Sequence, residues 1–547
     1  MLKSSHHSYN LVLILLLAVF FALYSFLAWS TIWPLARHFN HFIFNWPDEN
    51  ANYFFAAIFA KHGVLFFPEY LNVLSDNLLH SRSINVVDAN LVPVAFLPTV
   101  AIFGLFFKFL GPWGILFFTP LLALITIYII YRLSYLLWSD HKFSLTIAIL
   151  LLSASPWLYF ANFSFLPTVL FIFLLSAGYG CWARSLKVGD RHGLYWQGGT
   201  VLLSLAVVSR PSEIVWVAFI ALFIIYLHRS VLDLKRLLAS VFILLAIGAW
   251  SLGLNYLTYG HYLSFGYFDM QGGNLSSEFN DHTNSWRSWL ILLFSPFGFD
   301  IKSIAYNFYH YFIRIGLYKV ILALLAIIFL AVKYKRFSSM PKVWQRYFIL
   351  VIPVFILILL YYGSWDIADP LVKSLNRLSS SYVRYFMPLY ILILPLAAWA
   401  LLKIFWRENK TVQLSFYFVL IVIAIVSIRG AFLVGPDGLL DTRQALLGYY
   451  QQFAVVREIA PPSSLILTNR EDKIFFPYYK VVVPQGSLAL WPRLASLVDR
   501  VPLYFYTNKS DEEIALDQQA AQQVNLELVE PVSIWEDFRL FKIIKKF

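Results

Sequence analysis

Long apolar runs separated by short polar loops dominate this chain. Such runs occupy residues 11–33, 113–131, 143–161, 164–183, 195–209, 211–228, 237–257, 316–332, 345–362, 385–403 and 412–431. A helix needs roughly 20 apolar residues to cross a bilayer. The pattern therefore predicts a mainly α, polytopic membrane protein of about 11 spans. The first run follows MLKSSHHSYN. Its apolar core is too long for a signal peptide and no small-x-small cleavage site follows, so it reads as a retained span.

A further apolar run, 91–110 (LVPVAFLPTVAIFGLFFKFL), is ambiguous by hydropathy alone. Charge parity resolves it. With the N-terminus inside and this run excluded, the inside segments 1–10, 132–142, 184–193, 228–236, 333–346 and 403–410 carry 17 Lys/Arg. Counting the run as a crossing would place most of that charge outside, against the positive-inside rule. Pro93 and Pro98 also interrupt it. It is expected to be an interfacial or re-entrant helix on the outer face. Four segments then lie outside: 34–112, 258–315, 363–384 and 435–547.

The last of these changes period. A helix over 442–459 stops before Pro461-Pro462, and strand-like runs follow at 464–468, 479–483 and 502–506. Ser510 and Glu513 form a capping box opening a helix to about 523, followed by strand-like sequence at 525–529 and 538–544. This predicts a transmembrane domain, 1–434, and a small extracytoplasmic α/β domain, 435–547. There is no visible internal repeat, which counts against transporter folds built from two related halves.

Composition agrees. The 547 residues have a mean hydropathy of +0.67, and only 13% are charged, where soluble domains average about a quarter. The single cysteine, Cys181, excludes an internal disulfide. Residues 1–434 hold 30 Lys/Arg and 16 Asp/Glu, against 12 and 14 in 435–547. The excess cations thus belong to the membrane part and are scattered over short loops. They form no basic arm, so nucleic acid is not the expected partner.

Candidate chemistry gathers on the outer side. Residues 45–63 (NWPDENANYFFAAIFAKHG) place Asp48 and Glu49 at the start of a helix whose Phe54, Phe55, Ile58 and Phe59 recur at helical spacing. Asp48 could simply cap that helix and Glu49 complement its dipole. Functionally, a carboxylate there could take a proton from a polar acceptor. Arg210 (VVSRPSE, 207–213) and Arg384 (SSSYVRYFMP, 379–388) lie at span ends on the same side. The planar guanidinium suits phosphate oxygens, although both could snorkel to headgroups or Arg210 could pair with Glu213. His80 and Arg82 add candidate cations in the first loop. His261, His282 and His310, with Asp269, Glu278 and Asp281, lack zinc-ligand spacing, and the 295–300 stretch SPFGFD is a candidate re-entrant turn. No Walker A, GxGxxG or GxSxG motif occurs.

The first loop resembles that of the GT-C superfamily of membrane glycosyltransferases. The likeness is to the branch of the protein O-mannosyltransferases and the lipid A aminoarabinose transferase. Their acidic motif and following helix match Asp48, Glu49 and the stretch to Gly63. Their surface helix matches 91–111, a Lys/Arg after the fifth span matches Arg210, and an Arg-Tyr-x-x-Pro run matches Arg384 to Pro388. Two departures stand out. Leu91-Val92-Pro93 replaces His-Pro-Pro or Glu-x-Pro, and 162–168 (NFSFLPT) lacks the second Asp that often follows the third span.

The resemblance implies sugar transfer from a polyprenyl-phosphate-linked donor to a glycan, lipid or protein acceptor at the outer face. The expected setting is a multi-pass protein of the plasma membrane, with the N-terminus cytoplasmic. Asp48 would be the base and Glu49 a helper. Arg210 and Arg384, with Arg82 and His80, would meet the lipid phosphate. No cofactor is required, and a divalent cation at Glu49 stays open. The alternatives from other classes are a lipid or polysaccharide transporter and a non-catalytic membrane scaffold.

Overall fold

The computed structural model describes residues 2–188, 190, 193–230, 232–263, 297–365, 378–406, 410–435, 437–484 and 490–546. The expected acids and histidine at 269, 278, 281 and 282 lie outside these. Among the described residues, 6 helices are long and apolar enough to cross a membrane, or up to 10 if each sharply bent pair is one span. The runs 164–183, 237–257, 345–362, 385–403 and 412–431 become Pro167–Val188, Leu234–Tyr259, Lys342–Gly363, Met387–Phe405 and Val412–Leu433. The run 113–131 falls within Leu97–Trp138, also among the 6, while other runs bend or meet a neighbouring helix at a sharp angle. The first bends by 45° between Tyr9–Tyr24 and Ala28–Phe39, and 143–161 bends by 61° before Ser155–Ala161. Leu194–Ser209 and Pro211–Leu227 meet at 114°, with Arg210 at the corner. Pro156 and Pro211 stand in the first turns after two of these breaks, where a missing N–H costs nothing.

The 91–110 run is not one element. Residues Asn90–Pro93 form strand β3, which pairs antiparallel with β1 (Phe67–Pro68) and β2 (Ile84–Val87) in a small sheet, order β1-β3-β2. A helix follows from Leu97 and is interrupted at Gly111, whose φ of 68° is left-handed. The arm before that break has about 14 residues, or about 21 Å at ~1.5 Å per residue. That is short of the roughly 30 Å hydrocarbon core. It packs on the helix Pro47–His62 so closely that a β-carbon on Gly104 would meet the Phe59 side chain at 2.7 Å. The two helices therefore form a pair, with Phe55 and Ala56 buried.

Residues from Leu439 onward form a helix, Leu439–Ile459, and a mixed sheet. Strands β4 (Leu465–Thr468), β5 (Lys480–Val482), β6 (Leu503–Thr507), β7 (Leu526–Trp535) and β8 (Phe538–Lys545) run in the order β5-β4-β6-β8-β7. The first three are parallel to each other, and β8 joins β6 antiparallel. The capping box at Ser510 and Glu513 is formed, opening Asp511–Gln522. This region does not sit apart from the outer loop. Leu78 and Leu79 are built into one hydrophobic core with Leu465, Leu467 and Leu503. Tyr450, Phe453, Ile474 and Phe475 continue the core of the membrane helices. Glu69 pairs with Lys480, and Asp76 with Arg493 at 2.6 Å.

Candidate active site

The helix Pro47–His62 begins with Trp46 at the N-cap position and a proline in its first turn. Asp48 is therefore inside the first turn and makes no cap bond, which corrects its expected alternative role as an N-cap. Its carboxylate has two other partners. Ser83 Oγ donates to Oδ1, and Arg384 Nη1 lies 3.5 Å from Oδ2. Both charged side chains keep an open edge, 25% of Asp48 and 13% of Arg384. The first outer loop and the approach to Met387–Phe405 thus bring together two groups 336 residues apart.

Arg384 is oriented by its own turn, with Nη2 donating to Ser381 Oγ at 3.1 Å. Its guanidinium carbon lies 5.3 Å from the Tyr385 ring centre and 5.8 Å from that of Trp46. Arg210 approaches the same Tyr385 ring at 5.1 Å, and Phe171 at 5.2 Å. The two expected cations therefore do meet, sharing one aromatic ring within cation–π range. Tyr362 stacks on Tyr385 at 4.5 Å and fixes it.

The cations differ in what balances them. Arg210 is 3% exposed and pairs with Glu213 at 2.8 Å; Glu213 is fully buried. Tyr362 donates to the same oxygen of Glu213, Oε1, at 2.9 Å, and Trp216 Nε1 donates to Oε2 at 2.5 Å. A buried pair with these extra bonds is an internal device, costly to break. Glu213 balances the charge of Arg210 locally, although Nη1 and Nη2 of Arg210 make no hydrogen bond among the described residues. The 3.5 Å contact of Arg384 with Asp48 is looser, and Arg384 is the more accessible of the two.

Glu49 was expected beside Asp48 as a helper or metal ligand. It turns inward instead, 1% exposed. Burial pushes its carboxyl up to about 8, against the pull of backbone N–H groups from Phe165, Ser164 and Trp46. Those donors belong in part to the 162–168 turn, where the resemblance suggested an acid. N–H donors suit a carboxyl and not a cation, so Glu49's surroundings do not fit a metal. Among the described residues no three His, Cys, Asp or Glu side chains gather to hold one.

Arg82 and His80, also expected at the donor site, face the C-terminal region. Arg82 binds Asp472 at 2.7 Å. His80 makes a β-bridge to Val482, and its Nδ1 lies 3.2 Å from the Ser81 carbonyl. Burial lowers its basicity, against the opposing pull of the Ser81 carbonyl and Asp472. His310 lies against the Tyr306 ring at a tilt and meets the Tyr309 ring edge-on, far along the chain from the pair. Ser83, Trp46 and Tyr385 were missed by sequence reasoning. Each stood within two positions of a candidate residue, but proximity in sequence does not tell which way a side chain turns.

No family model matches the sequence, and no curated protein matches it. Solved structures do match in shape. ArnT from Cupriavidus metallidurans bound to undecaprenyl phosphate is 13% identical, with a TM-score of 0.53, covering 97% of both chains. The same protein in the apo state is 12% identical, covering 98% of both at a TM-score of 0.53. The archaeal oligosaccharyltransferase AglB from Archaeoglobus fulgidus, in complex with an inhibitory peptide and a dolichol-phosphate, is 10% identical. It has a TM-score of 0.53 and covers 92% of this chain and 69% of that one. The chain shares the polytopic, mainly helical fold of these proteins.

Proposed function

We propose that this protein is a membrane glycosyltransferase that moves a sugar from a polyprenyl-phosphate-linked donor to an acceptor at the outer face of the plasma membrane. The observation that carries this is the Asp48–Arg384 pair: a partly open carboxylate and a partly open guanidinium 3.5 Å apart. The fold is one whose solved examples hold undecaprenyl phosphate or a dolichol-phosphate.

The chemistry follows from those two groups. Asp48 takes the proton of the acceptor hydroxyl as its oxygen bonds to the anomeric carbon. The bond from that carbon to the phosphate oxygen breaks, and its electron pair leaves with the lipid phosphate. Arg384 neutralises the charge gathering on that phosphate, where fixed charge is worth most. A phosphate competes well for a guanidinium held at 3.5 Å, so donor binding would loosen Arg384 from Asp48 and free the base. Single displacement inverts the anomeric centre. Arg210, neutralised by Glu213, supports Arg384 from across the Tyr385 ring rather than meeting the phosphate directly.

Native mass spectrometry of the purified protein with added undecaprenyl phosphate tests this reading. Wild-type protein should retain the lipid phosphate, and Arg384→Lys should weaken retention on the order of tenfold, since hydrogen bonds from the fork are lost. Equal retention by both, or none by either, would refute the assignment of Arg384.

A further inference from the structure

Loop 80–83 is gripped from two sides. The Arg82 backbone N–H donates to Asp472 Oδ2 at 2.8 Å, its Nε to Oδ1 at 2.7 Å, and its Nη2 to the Arg470 carbonyl. Asp472 is fully buried and opens the short helix Asp472–Phe475. The adjoining residue of that helix holds the other side of the site. The Lys473 carbonyl accepts from Asn50 Nδ2 at 2.7 Å, and Lys473 Nζ donates to the Asn45 carbonyl at 3.0 Å. One turn of the C-terminal region thus binds both stretches of the first loop, the one bearing Asp48 and the one bearing its partner Ser83.

Ser83 has a φ of 62°. A residue with a β-carbon is strained there, and such strain persists only where neighbours over-determine the position. Arg82, fixed on Asp472, sets the backbone on one side. On the other, the Ser83 carbonyl accepts from Val94 N at 3.2 Å, next to β3. The outcome of this strained turn is that the Ser83 hydroxyl points at Asp48.

We infer that Asp472 is a positioning residue for Asp48. It acts through Arg82 and Ser83, so that docking of the C-terminal region completes the site. The consequence for transfer rests on the reading of Asp48 as the base; the mechanical coupling does not. Asp472 touches no reacting atom. It fixes the turn whose hydroxyl holds one carboxylate oxygen, leaving the other toward Arg384.

The test reads Asp48 directly and needs no sugar or acceptor. Full-length protein is treated with a water-soluble carbodiimide and a tagged amine at one pH, and Asp48 labelling is measured by peptide mass spectrometry. Ser83→Gly removes the hydroxyl and suits a positive φ. It should melt no lower than wild type while Asp48 labels about threefold to tenfold faster, the range set by one lost hydrogen bond. Asp472→Asn should raise labelling similarly. Added to Ser83→Gly, it should change labelling no further, because both act through the same contact. A merely structural Asp472 predicts the reverse: labelling that follows melting temperature and effects that multiply. Unchanged labelling in Asp472→Asn, or multiplying effects in the double variant, would overturn the inference. If instead Asp48→Asn kept full transfer while this coupling was found, the base assignment alone would fall.

Discussion

Asp48→Asn separates chemistry from folding. The substitution keeps shape and an oxygen for the Ser83 hydroxyl, and removes the charge and the proton acceptor. Its folding cost is bounded by three features. Trp46, not Asp48, is the N-cap residue, so no cap bond is lost. The favourable term for an acid in the first helical turn is about 0.3–1 kcal/mol. The ion pair with Arg384 is partly exposed and 3.5 Å long, and pairs of this kind contribute up to about 1 kcal/mol. The total is at most about 2 kcal/mol. Loss of a positioned general base lowers turnover by on the order of 10²–10⁴, or about 2.7–5.5 kcal/mol in the barrier. The two ranges do not overlap, so melting and transfer should respond very differently. The assay is the surface glycan of cells carrying the Asn variant, with expression lowered until transfer limits the glycan. Melting of the purified variant is measured alongside. The expected result is a protein that melts within a few degrees of wild type and makes almost no glycan. A full glycan at equal, limiting expression would refute the assignment of Asp48.

Two further outcomes are expected. Glu49, raised from 4.5 to about 8 in the fold, binds a proton that the unfolded chain releases between those values. Stability should therefore fall as pH rises from about 4.5 to about 8 and level off above, and Glu49→Gln should flatten that slope in melting scans; an unchanged slope would show that Glu49 is not the group responsible. With Cys181 replaced by Ser, cysteines at the exposed positions Ser339 and Ser510 should be labelled from the cytoplasmic and outer sides respectively, and labelling of both from one side would refute the parity argument.

What was legible in the sequence follows from the range of the forces involved. Bilayer burial is written in consecutive apolar residues, so Leu234–Tyr259 and Val412–Leu433 match their runs to within a few positions. Caps are local too, and the Ser510–Glu513 box formed as read. Bends were less legible. The sequence divides two runs at Arg210, but hydropathy is alike on both sides and does not disclose the 114° corner at which they meet. The run 91–110 shows the opposite error. Its first residues are apolar because β3 is buried between β1 and β2, not because they belong to a helix. Pro93 marked the change of element, and the charge count gave reason to doubt a span, but neither disclosed a sheet.

At the site, residue type was readable and partnership was not. An acid at 48 and arginines at 210 and 384 could be chosen because uncompensated charge at a membrane border is rare enough to need a reason. Whether a charge is free depends on side chains hundreds of positions away. Arg82 and Arg384 look alike in sequence, yet the first is held by a buried Asp472 at 2.7 Å, while the second lies 3.5 Å from a partly exposed Asp48. The same reasoning separates the two acids. Asp48 and Glu49 are neighbours, but successive helical positions point about 100° apart. One therefore faces the Arg384 side, and the other faces the backbone of residues 164–165. The placement of Trp46 at the N-cap, with Pro47 next, sets the direction that each of the two carboxylates takes. The clamp by Asp472 acts on that of Asp48, since it fixes the turn whose hydroxyl selects the Asp48 oxygen left for chemistry.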